Sequence, residues 1–258
     1  MLLAYDDYGP GPVVVLLHGF PLNRSMWAEQ VSEIGSMYRV IAPDLRGHGE
    51  TAAPEGVYTI DDMADDVVEL LDALQLWEPI VLGGLSMGGY VALSLVTRFP
   101  ERVRALMLLD TRATSDSPEA AANREQLARK TESTGSTEPV IAAFLPKLLG
   151  EAKREGHPER VAAVREMMKR TPTRALAGAL RGMAIRPDRS SELSQIKVPT
   201  LVLVGADDGI TPPEEMRSLA DQLPRARFVI IPDAGHLAPM ENADATNKEI
   251  LAFLSQET

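Results

Sequence analysis

Short runs of β-branched and aliphatic residues alternate along this chain with stretches whose apolar positions recur at helical spacing. Residues 13–17, Val-Val-Val-Leu-Leu, form an unbroken apolar run, as expected of a strand covered on both faces. Residues 24–34 carry Met26, Trp27, Val31 and Ile34 on one side and predict a helix. Residues 38–42 predict a strand stopped by Pro43, and residues 60–74 an amphipathic helix entered through Thr59 and Asp61. Strands are expected at 80–82 and 103–109, with a helix at 88–98 between them. This rhythm breaks after Asp110. From Ala113 to about Arg189 no strand-like run occurs, and helices are expected at 119–130, 138–149, 159–170 and 173–184, the second ended or kinked by Pro146. The rhythm then resumes with strands at 200–204 and 227–231 and helices at 214–223 and 243–255. Such alternation predicts an α/β fold, a mostly parallel central sheet flanked by helices, interrupted by a helical cap insertion. The expected division is a core over residues 1–112, a cap over 113–189, and the second part of the core over 190–258.

Within that pattern lies Gly84-Leu85-Ser86-Met87-Gly88, a G-x-S-x-G placed after a strand and before a helix. A serine there occupies a turn too tight for ordinary backbone angles, so small residues must flank it. Its hydroxyl is thrust out at the carboxyl edge of the sheet, where ligands of α/β folds bind. To act as a nucleophile it needs a base, an acid that orients the base, and donors for an oxyanion. The chain has 4 histidines. His157 lies in the helical block, whereas His18, His48 and His236 all follow strands, and His236 follows the last one. Position at the sheet edge favours His236 as base without excluding the other two. For the acid, Asp207 and Asp208 both follow the strand at 200–204, and Asp233 is local to His236. The oxyanion donors expected are the N–H groups of Met87, directly after the serine, and Phe20, because Pro21 has none to give.

Composition narrows the field further. The 258 residues suffice for one α/β domain with an insertion or for two small domains, and 45% hydrophobic with 24% charged residues is an ordinary globular balance. With 26 basic against 37 acidic side chains, the net charge of −11 disfavours nucleic acid and anionic lipid as partners. The absence of cysteine excludes disulfides, zinc-thiolate sites and thiol nucleophiles, and fits a cytoplasmic setting. The first residues lack the basic and apolar segments of a signal peptide. Residues 79–97 carry no charged side chain, but their two Gly-Gly pairs favour a buried strand, turn and helix over a membrane span. The loop Asp44-Leu45-Arg46-Gly47-His48-Gly49 reads as a structural turn with Arg46 and Asp44 paired locally, not as a phosphate cradle. Asp61, Asp62, Asp65 and Asp66 read as a solvated acidic first turn of a helix rather than a metal site. Trp27, Met167 and Met183 are candidates for a substrate pocket, with core packing as the plainer alternative.

Taken together, His18-Gly19-Phe20-Pro21, Asp44-Leu45-Arg46-Gly47-His48-Gly49, Gly84-Leu85-Ser86-Met87-Gly88-Gly89, Gly205-Ala206-Asp207-Asp208 and Ala234-Gly235-His236 resemble, in order and spacing, the motifs of the α/β-hydrolase superfamily. The resemblance runs over nearly the whole chain. It implies the α/β-hydrolase fold, the chain order serine, acid, histidine, and hence Ser86, Asp208 and His236 as the catalytic residues, since the acid of such proteins stands three residues after the strand-ending glycine. The chain is similar to small bacterial carboxylesterases, 3-oxoadipate enol-lactonases and cofactor-free haloperoxidase-type esterases. That likeness implies a serine hydrolase that cleaves small carboxylic esters or lactones with water and calls for no cofactor or metal. Enol-lactone hydrolysis, carbon–carbon hydrolysis and perhydrolysis are alternatives on the same three residues, and a slow-turnover ligand receptor is the non-enzymatic one. The short amino terminus suggests a reduced opening hairpin.

Overall fold

A computed structural model describes residues 1–257. Seven strands form one sheet: β1 (Tyr5–Tyr8), β2 (Val13–Leu17), β3 (Arg39–Pro43), β4 (Ile80–Leu85), β5 (Val103–Leu109), β6 (Thr200–Gly205) and β7 (Ala226–Ile231). Their spatial order is β1-β3-β2-β4-β5-β6-β7, with β1 antiparallel to β3 and every other pair parallel. The helices are α1 (Ala28–Ile34), α2 (Ile60–Ala73), α3 (Met87–Arg98), α4 (Pro118–Thr134), α5 (Glu138–Leu148), α6 (Glu151–Gly156), α7 (Pro158–Arg170), α8 (Thr173–Ala184), α9 (Pro213–Asp221), α10 (Ala238–Glu241) and α11 (Ala243–Glu257). The apolar runs behave as their composition requires: Leu16, Leu17, Val81, Leu82, Leu108 and Val202 are buried, because helices cover both faces of the sheet. The uncharged segment 79–97 resolves into β4 and α3, and no helix among the described residues is long and apolar enough to cross a membrane.

Several expectations need correction. The opening is reduced as expected to a single strand, β1, antiparallel at the sheet edge, but the pattern of residues 5–8 did not predict that strand, because Tyr-Asp-Asp-Tyr carries no apolar run. The first helical stretch begins as a 3-10 turn, Arg24–Trp27, before α1. Helix α5 continues past Pro146 to Leu148 instead of ending at it, and α6 and α10 were not foreseen. Helix α2 is entered through a reciprocal cap between Thr59 and Asp62, while Asp61 turns to Ser94 and Arg189. Asp65 is also paired, with Arg98, and Asp66 with Arg46 and the N-terminal amine, so the turn is ion-paired, with Asp66 buried while Asp61 and Asp65 remain partly solvated. Arg46 therefore does not pair with Asp44. Its long side chain reaches across to buried Asp66 at 2.7 and 2.8 Å, and Asp44 is held by Arg24 and the Glu50 N–H. Five helices, α4–α8, intervene between β5 and β6, with no strand among them.

The register of the sheet decides which residues share its carboxyl rim. Leu17 of β2 stands beside Gly84 of β4, Leu85 beside Leu109 of β5, and Leu109 beside Leu203 of β6. One step further, Gly19, Ser86 and Asp110 therefore emerge side by side. The strand-to-helix turn around Ser86 leaves no room for extra atoms: a Cβ on Gly88 would lie 2.3 Å from the Leu17 carbonyl oxygen, and one on Gly84 2.2 Å from that of Gly88. Backbone carbonyls of a central strand cannot step aside cheaply. We predict that Gly88→Ala lowers the unfolding free energy by more than about 2 kcal/mol. Gly156→Ala, where nothing lies within 4 Å, should stay within about 0.5 kcal/mol of the parent. Urea unfolding of the two variants checks the contrast.

Candidate active site

Ser86 sits between β4 and α3 at φ 52° and ψ −113°, a left-handed conformation that costs a non-glycine residue on the order of 1–3 kcal/mol. The end of β5 and the residues just after it hold it there. Its N–H donates to the Leu109 carbonyl at 3.0 Å, and its own carbonyl accepts from the Thr111 hydroxyl at 2.8 Å. The turn thus locks the backbone while the side chain stays half-buried rather than sealed. Gly19 passes so close that a Cβ there would stand 3.4 Å from the Ser86 Cβ. The loop His18–Pro21 accordingly borders the hydroxyl. The turn is closed by the Leu22 N–H to the Gly19 carbonyl, and the Phe20 N–H has no protein acceptor among the described residues. Met87 opens α3, and the first amides of a helix have no partner within it.

At the ends of β6 and β7 the chain brings an acid and a base together. Asp208 Oδ2 lies 2.8 Å from Nδ1 of His236. Asp208 is 3% exposed and His236 2%, so the pair is shielded from water. The other carboxylate oxygen, Oδ1, accepts the N–H groups of Ile210 and Thr211 at 2.8 and 3.0 Å, and the Thr211 hydroxyl donates to Oδ2 at 2.5 Å. Burial works to raise the Asp208 carboxyl, but the facing His236 and the Thr211 donors outweigh it and hold the group below the ordinary carboxylate range. With Nδ1 engaged by Asp208, Nε2 is the ring nitrogen left to meet a hydroxyl. The alternative acids are elsewhere: Asp207 and Asp233 are exposed, and the Asp207 N–H serves the Ala234 carbonyl.

The remaining histidines lie outside this pair. His18 uses both ring nitrogens on backbone, Nε2 accepting from the Leu45 N–H at 2.9 Å and Nδ1 meeting the Gly19 carbonyl at 3.0 Å. His48, packed against it with ring centroids 5.1 Å apart, meets the Arg46 carbonyl. Burial lowers His18 to about 4 and His48 to about 3, so both rings are neutral struts beneath the Phe20 loop. His157 is exposed at the α6–α7 junction beside Glu159.

Sequence reasoning did not single out four contributors. Asp110, fully buried at the end of β5, accepts the Gly205 N–H at 2.8 Å and so ties β5 to the acid loop. Burial, and then the charge of Asp208, push its carboxyl well above the ordinary range. Thr111 and Thr211 brace Ser86 and Asp208 as described. Phe144 of α5 meets Phe20 edge-on, with centroids 5.3 Å apart. The only available signal was local for Thr211, a hydroxyl three residues after an acid; the others depend on the fold. Phe144, Gly209 and Ile210, with Arg124, Leu127 and Lys130, line a cleft of about 600 Å³ between α4, α5 and the acid loop. Trp27 and Met183 are buried in the core, Met167 is 8% exposed, and none of the three is among that cleft's walls. No cluster of potential metal ligands occurs among the described residues.

Against known proteins, the family model described as alpha/beta hydrolase fold matches residues 12–243. A thermophilic esterase from Thermogutta terrifontis, solved with malate bound, superposes with a TM-score of 0.97 at 45% identity over 99% of this chain and 94% of that one. An enol-lactonase from Burkholderia xenovorans LB400 gives 0.91 at 33% identity, over 98% and 96%. A putative non-heme bromoperoxidase of Mycobacterium tuberculosis is 33% identical over 98% of this chain and 97% of its own length.

The two buried neutral histidines carry a prediction. Their folded pKa values lie below the ordinary value near 6.5, so on acidification the unfolded chain binds protons first, and the stability they contribute is lost as pH falls below about 6.5. Buried Asp110 and Glu241 act in the opposite direction, since their folded carboxyls are raised. Comparing His48→Phe with the parent isolates one histidine. Between pH 7 and pH 5 the variant should gain about 2 kcal/mol relative to the parent, read by urea unfolding. A difference independent of pH contradicts the assignment.

Proposed function

Because this chain belongs to the α/β-hydrolase family, we propose that it is a serine hydrolase of small carboxylic esters, with Ser86 as nucleophile, His236 as general base and Asp208 as the acid that orients it. The observation that carries this reading is the buried 2.8 Å contact between Asp208 and His236 at the same sheet edge as the strained turn of Ser86. A serine hydroxyl is a weak nucleophile near pH 7, and a neutral imidazole is the base matched to that pH. In the proposed cycle, His236 Nε2 takes the Ser86 proton as Oγ attacks the ester carbonyl. Asp208 fixes the tautomer with Nδ1 protonated and stabilises the imidazolium that forms. The N–H groups of Phe20 and Met87 receive the developing oxyanion, aided by the positive end of α3. The imidazolium returns its proton to the leaving alcohol, and water repeats the sequence to release the acid from the acyl-enzyme.

Residues 113–189, which hold α4–α8, are proposed as a cap that closes the site and selects the substrate. Phe144 reaches from this block to the Phe20 ring, which puts an aromatic wall beside the proposed oxyanion site. Lactones form the second substrate class, supported by the 33% identity to an enol-lactonase over nearly the full length of both chains.

On p-nitrophenyl acetate, Ser86→Ala should lower kcat by on the order of 10⁴-fold or more. Asp208→Asn should cost roughly 10³–10⁴-fold, whereas Asp207→Asn should stay within about twofold, as for a surface change away from the site. Steady turnover supports an enzyme. A single covalent event followed by arrest supports the receptor alternative, and a loss under tenfold in Ser86→Ala, with contaminating esterase excluded, overturns the nucleophile.

A further inference from the structure

Glu241, five residues past His236, is 1% exposed. A carboxylate this deep ordinarily faces a cation or a metal. Glu241 instead faces backbone amides from two separate parts of the chain. Its Oε1 accepts the N–H groups of Gly235 and Leu237, each at 3.0 Å, which are the amides on either side of His236. Its Oε2 accepts the Gly150 N–H at 2.7 Å. Gly150 is the junction between α5 and α6, inside the helical block. There the block touches the histidine turn almost backbone to backbone, for a Cβ on Gly235 would lie 2.4 Å from the Gly150 nitrogen. Arg160 of α7 also ties the block to α10, the helix that carries Glu241, donating to the carbonyls of Met240 and Glu241 at 2.5 and 2.6 Å.

The chemistry explains why a carboxylate occupies this spot. Three N–H groups converge on it, and each would cost on the order of 1–3 kcal/mol if left unsatisfied in the interior. Two acceptor oxygens can serve all three. A glutamine offers one oxygen, and its NH₂ would confront an N–H on the other side. Burial raises the Glu241 carboxyl above its ordinary range, and the three amide donors and His236 partly offset this.

We propose that Glu241 is a positioning residue that fixes the backbone on both sides of His236 and, through its second oxygen, latches the α5–α6 junction of the cap to that turn. The placement of the imidazole and the seating of the cap then form one unit. Because α5 also carries Phe144, releasing Gly150 loosens the aromatic wall against Phe20. The inference rests on the reading of His236 as the base.

Gly150 allows the latch to be broken from the cap side. It has φ −56° and ψ 148°, and Leu149 before it has φ −113° and ψ 141°, so proline suits the backbone angles at 150, while its ring Cδ replaces the hydrogen that Glu241 Oε2 accepts and displaces that oxygen. The experiment measures kcat and KM for p-nitrophenyl acetate and p-nitrophenyl octanoate in the parent, Glu241→Gln, Gly150→Pro, Gly150→Ala and the Glu241→Gln/Gly150→Pro double variant. Glu241→Gln should lower kcat on both esters about tenfold or more, with KM for the acetate within about twofold. Gly150→Pro, whose ring carbon displaces Oε2, should raise KM for the octanoate about fivefold, while Gly150→Ala, which retains the N–H, should not. In the double variant the octanoate KM should match that of Glu241→Gln within about twofold, because both changes break one bond. Effects that multiply in full, or a Glu241→Gln kcat within threefold of the parent, overturn the proposal. If Glu241→Gln does not fold, equal KM values for the proline and alanine variants at 150 overturn the latch. If the parent cleaves neither ester, the function reading fails separately, and the same cycle on urea unfolding still tests the latch: coupled effects support it and additive effects refute it.

Discussion

A turn with no spare volume holds the nucleophile of the proposed mechanism. Gly84 and Gly88 press against each other and against the end of β2, and this forces Ser86 into a left-handed conformation at the rim of the sheet. Every other candidate group is placed relative to that point by strand register. Leu17 beside Gly84 brings the Phe20 loop alongside the serine, and Leu85 beside Leu109 brings Asp110 and Thr111 to its other flank. The turn is strained, and two hydrogen bonds from the β5 side, to the Leu109 carbonyl and from the Thr111 hydroxyl, maintain it.

Around this rim the protein buries polar groups that a stability argument alone would avoid. His18 and His48 are neutral props under one loop, Asp110 ties β5 to β6, and Glu241 gathers three amides at the base of the histidine turn. Each bonds mainly to backbone N–H or C=O groups, although His48 Nε2 and Asp110 Oδ2 have no hydrogen-bond partner among the described residues. Such bonds fix loops with a directionality that apolar packing lacks. That is the physical reason to retain them where an imidazole and a carboxylate must meet within hydrogen-bond reach.

Much of this was legible in the sequence, for identifiable reasons. Residues 13–17 and 103–109 matched β2 and β5 because strands buried on both faces must be uniformly apolar. Gly84-Leu85-Ser86-Met87-Gly88 was readable because sterics restrict which residues can stand at its ends. The edge strand β1 was not, since its polar residues face solvent and only pairing with β3 makes it a strand. Arg46 was assigned to Asp44 by nearness in sequence, yet its partner Asp66 lies on α2, a contact set by packing. The link from Glu241 to the helical block and the contact of Phe144 were equally invisible, because Gly150 and Phe20 lie 91 and 124 positions away.

The central claim is that Ser86 is a nucleophile activated by His236. Its most direct measurement is labelling with a fluorophosphonate, followed by peptide mapping by mass spectrometry. Attack by Ser86 Oγ predicts one adduct per chain, on the peptide containing Ser86, formed far more slowly when His236 is replaced by alanine. An adduct on another residue, or equal labelling rates with and without His236, would contradict the account.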